Sequence, residues 1–214
     1  MSEIDLRLIE SVQNRLRARS RATGQNFEDL LYYYAIERFL YRLSRFVLKG
    51  ALIFAGWGVP LGRPTRDIDL RGYASNDVDA LVETVRTICR QPAEEDGLWF
   101  DPDQVQGEEI RAEDEYHGVR VRFWARLGNA RVRMQLDIGF SDVITPADRT
   151  IELPTLLGMP PPVLRGYPAE TVVAEKLQTL VLRGELNSRI KDFFDLWQIS
   201  RLFAFDGRVL QQAI

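Results

Sequence analysis

Apolar positions between residues 27 and 43 recur at helical spacing. Leu30, Leu31, Tyr34, Phe39, Leu40 and Leu43 form one stripe with no internal Gly or Pro, which predicts an amphipathic helix whose aromatic side belongs to the core. Ser44-Arg45 alone separates it from the apolar run Phe46-Val47-Leu48, which predicts a strand. That link is short for a helix–strand reversal and reads as one from which residues are missing. After Gly50, residues 51–57 read as a short helix stopping at Gly58-Val59-Pro60, and Leu61-Gly62-Arg63-Pro64 as a loop. Residues 67–70 read as a second strand and 77–90 as a helix with Asn76 or Asp77 as its N-cap. Residues 93–107 read as an acidic loop, with Glu94, Glu95 and Asp96 on its surface.

The clearest alternation follows. Val119, Val121, Phe123, Ala125 and Leu127 alternate with Arg120, Arg122, Trp124 and Arg126, and Gly128-Asn129 supplies a two-residue turn. The return strand puts Val132, Met134, Leu136 and Ile138 on one face and Arg131, Arg133, Gln135 and Asp137 on the other. Residues 145–168 hold six of the ten prolines and read as a connecting segment, too apolar for a disordered linker. Two helices are expected beyond it. The first, 169–183, buries Val173, Leu177, Leu180 and Val181; the second, 188–203, buries Ile190, Phe193, Phe194 and Trp197. The last residues, Gln211-Gln212-Ala213-Ile214, read as the start of a further helix, so a longer C-terminal part is expected. These elements divide into an N-terminal helical segment (1–45), a mixed-sheet core (46–150) and a C-terminal helical subdomain (151–214), an α+β architecture.

Composition narrows the chemistry. The 214 residues carry a net charge of -3, which is not the footprint of a general nucleic-acid binder, yet arginines cluster at positions 15, 17, 19 and 21 and again along the hairpin. Lone Cys89 excludes an internal disulfide and fits a reducing cytoplasm, and lone His117 cannot build a histidine metal site. No apolar run approaches the roughly 18 residues of a membrane span, and the N-terminus lacks a signal-peptide core, so no membrane partner is expected. Positive charge is almost all arginine, with lysine at 49, 176 and 191 only. A retained lysine hints that a compact ammonium is needed there.

Carboxylates and lysines must therefore carry any catalysis. Asp67 and Asp69, at i and i+2 on an extended segment, point to one face while Ile68 and Leu70 point to the other. Two hard oxygen donors side by side are what Mg²⁺ takes from protein in phosphate-handling sites. Asp-x-Asp alone has low specificity, but the glycine break at Lys49-Gly50-Ala51 upstream could hold a triphosphate against the same ion. On spacing alone Asp137 is equally a surface ion-pair partner for the arginines beside it. Lys176 sits at the edge of a buried stripe, where snorkelling also explains it. Asp192 complements a helix N-terminus, and Lys191 is placed to pair with Asp195 at i+4.

Taken together, five stretches resemble the AbiEii/AbiGii toxins of the polymerase-β-like nucleotidyltransferase superfamily. They are Phe46-Val47-Leu48-Lys49-Gly50-Ala51; Arg63-Pro64-Thr65-Arg66-Asp67-Ile68-Asp69-Leu70; Gln135-Leu136-Asp137-Ile138-Gly139-Phe140; Tyr167-Pro168-Ala169-Glu170 leading to Ala174-Glu175-Lys176-Leu177; and Asn187-Ser188-Arg189-Ile190-Lys191-Asp192-Phe193-Phe194-Asp195-Leu196-Trp197. They occur in family order over residues 27–203. The resemblance implies a polymerase-β-like core with Asp67, Asp69 and Asp137 as Mg²⁺ (or Mn²⁺) ligands. It places Lys49, Gly50, Thr65, Arg66 and Lys176 about the nucleotide and Asp192 as the last motif acid. Asp137 would also serve as base toward the attacking hydroxyl. One departure stands out: Lys49-Gly50-Ala51 lacks the Gly-Ser or Gly-Gly pair of many relatives, and Thr65 is the hydroxyl that could substitute.

The expected activity is transfer of NMP from an NTP to an acceptor, with the tRNA 3′ end first among acceptors and Arg120, Arg122, Arg131 and Arg133 receiving it. A cognate antitoxin, often a transcriptional regulator encoded alongside, is the expected partner. Transfer to a protein or aminoglycoside-like hydroxyl, and a non-catalytic nucleotide-binding module, are the alternatives. DNA binding is disfavoured, since no basic recognition helix is visible.

Overall fold

The computed structural model describes residues 3–43, 46–59, 65–73, 76–92, 96–111, 117–140, 143–184 and 190–214. The link Ser44-Arg45, the predicted loop Leu61-Gly62-Arg63-Pro64, Glu94, Glu95 and the predicted helix start at Ser188 lie outside them. Two helices come first, α1 (Glu3–Thr23) and α2 (Phe27–Arg42), the latter capped by Asn26, whose side chain accepts the Glu28 N–H. Strand β1 (Val47–Lys49) leads through a 3₁₀ turn (Gly50–Leu52) into the single-turn helix α3 (Ile53–Gly56). Then come β2 (Ile68–Arg71) and α4 (Val78–Arg90), with Asp77 as the observed N-cap. Strands β3 (Trp99–Phe100), β4 (Gln106–Arg111), β5 (His117–Leu127) and β6 (Ala130–Gly139) precede β7 (Arg149–Glu152) and β8 (Val163–Gly166). The chain closes with α5 (Ala169–Arg183), α6 (Ile190–Leu202) and α7 (Gly207–Ala213). No helix among the described residues is long and apolar enough to cross a membrane.

The described strands form one mixed sheet in the order β3-β5-β6-β2-β1-β8-β7, with β4 pairing the same edge of β5 as β3. The long hairpin β5–β6 is antiparallel, β6 runs parallel to β2, β2 antiparallel to β1, and β1 parallel to β8. The expected alternation holds: Val119, Val121, Phe123, Ala125 and Leu127 and their partners Val132, Met134, Leu136 and Ile138 are all buried. Against that face pack Tyr34 and Phe39 of α2, with Phe39 lying 4.8 Å from the Phe123 ring and 5.5 Å from Phe100. The aromatic stripe of α2 is core, as its periodicity required.

The acidic loop expected over residues 93–107 instead carries β3 and the start of β4. Both are held by pairing with β5, a long-range term that strands of two residues, or of Gln-Gly-Glu-Glu composition, do not announce in their own pattern. Asp96, expected at the surface, is 2% exposed. Its carboxylate takes the Arg42 guanidinium at 2.7 Å and the Leu98 N–H at 3.0 Å, and its carbonyl accepts from Tyr34 Oη. Strands β7 and β8 lie within the proline-rich connection as an antiparallel hairpin extending the sheet beyond β1. The prolines flank those strands rather than interrupt them, which is where a residue without an N–H is tolerated.

The C-terminal helices differ most from expectation. Val173 is buried, but Val181, Ile190, Phe193, Phe194 and Trp197 are exposed, at 79%, 79%, 55%, 38% and 59%. The inward face of α6 is instead Asp192, Asp195 and Ile199. Lys176 of α5 explains the rotation: its ammonium sits 3.1 Å from Asp192 and 2.7 Å from Asp195. A buried cation requires acids around it, and turning them inward carries the aromatic face outward.

The Arg42–Asp96 pair sits where α2, α4 and the β3 loop meet. Removing one member of a buried ion pair leaves an uncompensated charge, so Asp96→Ala should destabilise the protein by about 3–5 kcal/mol. Equilibrium urea unfolding checks this; a loss under 1 kcal/mol would contradict the role assigned to the pair.

Candidate active site

The strand register places the candidate residues in rows. Lys49 on β1 pairs with Asp69 on β2, Asp69 with Asp137 on β6, and Asp137 with Arg120 on β5. Partners in register share a face, so cation, two anions and cation run side by side across four strands. This face is opposite the hydrophobic core, because Ile68, Leu70, Leu136 and Ile138 take the other side. One step along lies a second row, in which Gln135 donates from Nε2 to Asp67 at 2.9 Å and accepts from Arg122 Nε at 3.2 Å. Arg122 also meets Glu108 at 2.8 Å.

Gly50 is tied to this row by geometry. Its φ of 68° lies in the left-handed region, and a Cβ there would fall 2.0 Å from Asp69 Oδ2. Only glycine permits both the backbone turn and the close approach. Burial pushes the Asp69 carboxyl up to about 6; Lys49 pulls it down, the neighbouring Asp137 and Asp67 push it further up, and Lys191 pulls it down again. Arg120 holds Asp137 through two hydrogen bonds, Nε at 2.7 Å and Nη2 at 2.8 Å. Lys49 in turn reaches Glu175 on α5 at 2.6 Å, joining the first row to the C-terminal helices.

Of the expected residues, the fold brings Asp67, Asp69, Asp137, Lys49, Gly50, Arg120 and Arg122 together. Lys176 and Asp192 also meet, as members of the buried cluster with Asp195. Thr65 is buried, with its N–H donating to Tyr33 Oη, while Arg66 reaches toward Asp29 on α2 at 3.5 Å and its carbonyl accepts from Tyr32 Oη. Arg131 and Arg133 lie farther along the same sheet face. Three contributors escaped sequence reading: Gln135 as the partner of Asp67, Glu175 as the partner of Lys49, and Lys191 as a charge acting on Asp69. The scarcity of lysine was a usable signal, since all three lysines belong to this region. Among the described residues no three carboxylate, thiol or imidazole groups converge closely enough to cage a metal ion. Asp67 and Asp137 are turned to Gln135 and Arg120 instead.

Carboxylates beside a glycine turn on the polar face of a mixed sheet suit enzymes that handle nucleotide phosphates, and the sequence comparison specifies which. Residues 38–214 match the family described as nucleotidyl transferase AbiEii toxin of type IV toxin–antitoxin systems, and the chain belongs to that family. The resemblance read from the five stretches is thereby borne out. Two crystal structures from Helicobacter pylori are similar in shape. JHP933 gives a TM-score of 0.48 at 16% identity, covering 94% of this chain and 68% of its own. A protein provisionally assigned as a nucleotidyltransferase gives 0.46 at 15% identity, with 94% and 70% covered. No curated protein matches the chain in sequence.

The raised Asp69 pKa has a sign. An acid whose folded-state pKa exceeds its ordinary value stabilises the fold when protonated, so its contribution is complete below about pH 4 and is lost as pH rises through about 6. Asp69→Asn has no charge to desolvate. In chelator it should melt above the parent at pH 7.5, with the two curves converging below pH 4. Thermal melts across that range check this, and a parent that outlasts the variant at pH 7.5 would contradict it.

Proposed function

We propose that this toxin-family nucleotidyltransferase transfers a nucleoside monophosphate from an NTP to the 3′ hydroxyl of an RNA, with the tRNA acceptor end as its target, in a reaction dependent on Mg²⁺ or Mn²⁺. The observation that carries the reading is the row Lys49–Asp69–Asp137–Arg120, with Gly50 beneath it and an arginine-rich face beside it. An antitoxin partner follows from the family.

In the reaction the acceptor oxygen bonds to the α-phosphorus, the bond from that phosphorus to the bridging oxygen breaks, and pyrophosphate leaves. The chemistry of the donor set suits a divalent cation, since Asp67, Asp69 and Asp137 are hard oxygen donors on one face in neighbouring rows; to hold it, Asp67 and Asp137 would turn from Gln135 and Arg120. When bound, the ion would neutralise phosphate charge and activate the acceptor oxygen. The remaining work is positioning, the usual burden in phosphoryl-type transfer. Gly50 allows a phosphate to approach the backbone closely, and Lys49 sets a positive charge against the first row. Arg120 fixes the orientation of the Asp137 carboxylate, and Asp137 would take the proton of the acceptor hydroxyl. Lys176 and Asp192 secure α5 against α6, and through Glu175 the same helix holds Lys49.

Purified protein incubated with labelled NTPs, Mg²⁺ and total tRNA should label the RNA. Asp67→Ala should lose on the order of 10²-fold or more in rate, and Lys176→Ala, which leaves Asp192 and Asp195 without their cation, should lose rate together with thermal stability. Equal labelling by the parent and both variants would remove the assigned roles. Label appearing on a protein or an aminoglycoside offered in parallel, with none on RNA, would replace the acceptor.

A further inference from the structure

The hairpin continues past the catalytic rows, and its open face is neither bland nor purely basic. Beyond Arg122–Gln135, the next register pair is Trp124–Arg133, and the next is Arg126–Arg131, with Trp99 of β3 directly opposite Arg126. All five side chains share the face of Asp137. The Arg131 guanidinium lies 4.5 Å from the Trp124 ring centre and that of Arg126 5.0 Å from Trp99, which is 48% exposed. Arg131 and Arg133 are exposed and make no ion pair with a described residue. Trp124 is half-buried beneath Arg131 and Trp99 stands half-exposed, so both indoles lie on the open side of the sheet rather than in its core.

We infer that Trp124 and Trp99, with Arg131 and Arg133, form a stacking track that binds single-stranded RNA and leads its 3′ end to Asp137. The inference rests on the RNA-acceptor reading for the direction of the strand. Indole faces accept any base and guanidinium groups take the phosphates, the combination found in single-strand binders. From Arg120 to Arg126 the track is about 20 Å long at strand rise. That suits about four nucleotides, the low end of single-strand site sizes. A duplex cannot offer its bases to the indoles, so the surface selects an unpaired tail. Charge favours nucleic acid over an acidic protein segment, because the rings would be left unused by a carboxylate ligand.

The test is a titration of the intact protein, in chelator, with a fluorescein-labelled 12-nucleotide single-stranded RNA and with a duplex of the same length. Single strands should bind more tightly. Trp124→Ala and Trp99→Ala should each weaken binding about tenfold, and Trp→Phe at either position should restore it, which loss of fold would not allow. Arg131→Gln and Arg133→Gln should each reduce the slope of log K against log salt by about one. Unchanged affinity in both Ala variants, preference for duplex, or polyglutamate displacing the RNA would overturn the track. The two readings fail separately. RNA binding that depends on the tryptophans without any transfer removes the transferase reading and leaves the track. Transfer to RNA with KM unchanged in both Ala variants does the reverse.

Discussion

Asp69 and Asp137 are held in register on parallel neighbouring strands, and two anions fixed side by side repel each other at short range. The rest of the site can be read as what makes that placement tolerable. Lys49 and Arg120 bracket the pair within the same row, Lys191 adds positive charge from α6, and the apolar side chains on the reverse of β2 and β6 anchor both strands in the core. The arrangement is unfavourable by itself and stable in context, which is the usual condition of a charge-handling centre. A divalent cation set against the pair would relieve repulsion of this kind rather than add to it.

The C-terminal helices serve the same centre from outside the sheet. Lys176 draws Asp192 and Asp195 inward and locks α6 to α5, while the preceding residue, Glu175, grips Lys49 on β1. One turn of α5 therefore links α6 to β1: Glu175 pairs with Lys49 of the first row, and the next residue, Lys176, with Asp192 and Asp195. The exposed aromatic residues of α6 are the other side of that choice. A helix with acids on one side and Phe193 and Trp197 on another can bury only one of the two here, and the lysine decides which.

What the sequence disclosed follows from the range of the forces involved. The hairpin, α2, α4 and the relation of Asp67 to Asp69 were legible because periodicity is local and each element is long enough to show it. Strands β3, β7 and β8 were not, since pairs and quartets of residues become strands only through partners distant in the chain. Asp96 and the orientation of α6 were misjudged for one reason: hydrophobic patterning assumes that acids face water, and a buried arginine or lysine reverses that rule. Family resemblance supplied Asp137 where spacing left it even between site and surface. Register then put it beside Asp69 independently of any resemblance.

The alternation of β5 and β6 carries a consequence for how errors are tolerated. Every second residue of the hairpin is core, and every residue between belongs to the charged face. A slip of one position would carry Arg120, Arg122 and Asp137 into the apolar interior and expel Phe123, Met134 and Leu136 to solvent. A molecule with a misaligned hairpin is therefore also a molecule without a core. For an enzyme whose family acts as toxins, the two-residue repeat thus makes the charged face inseparable from the integrity of the core.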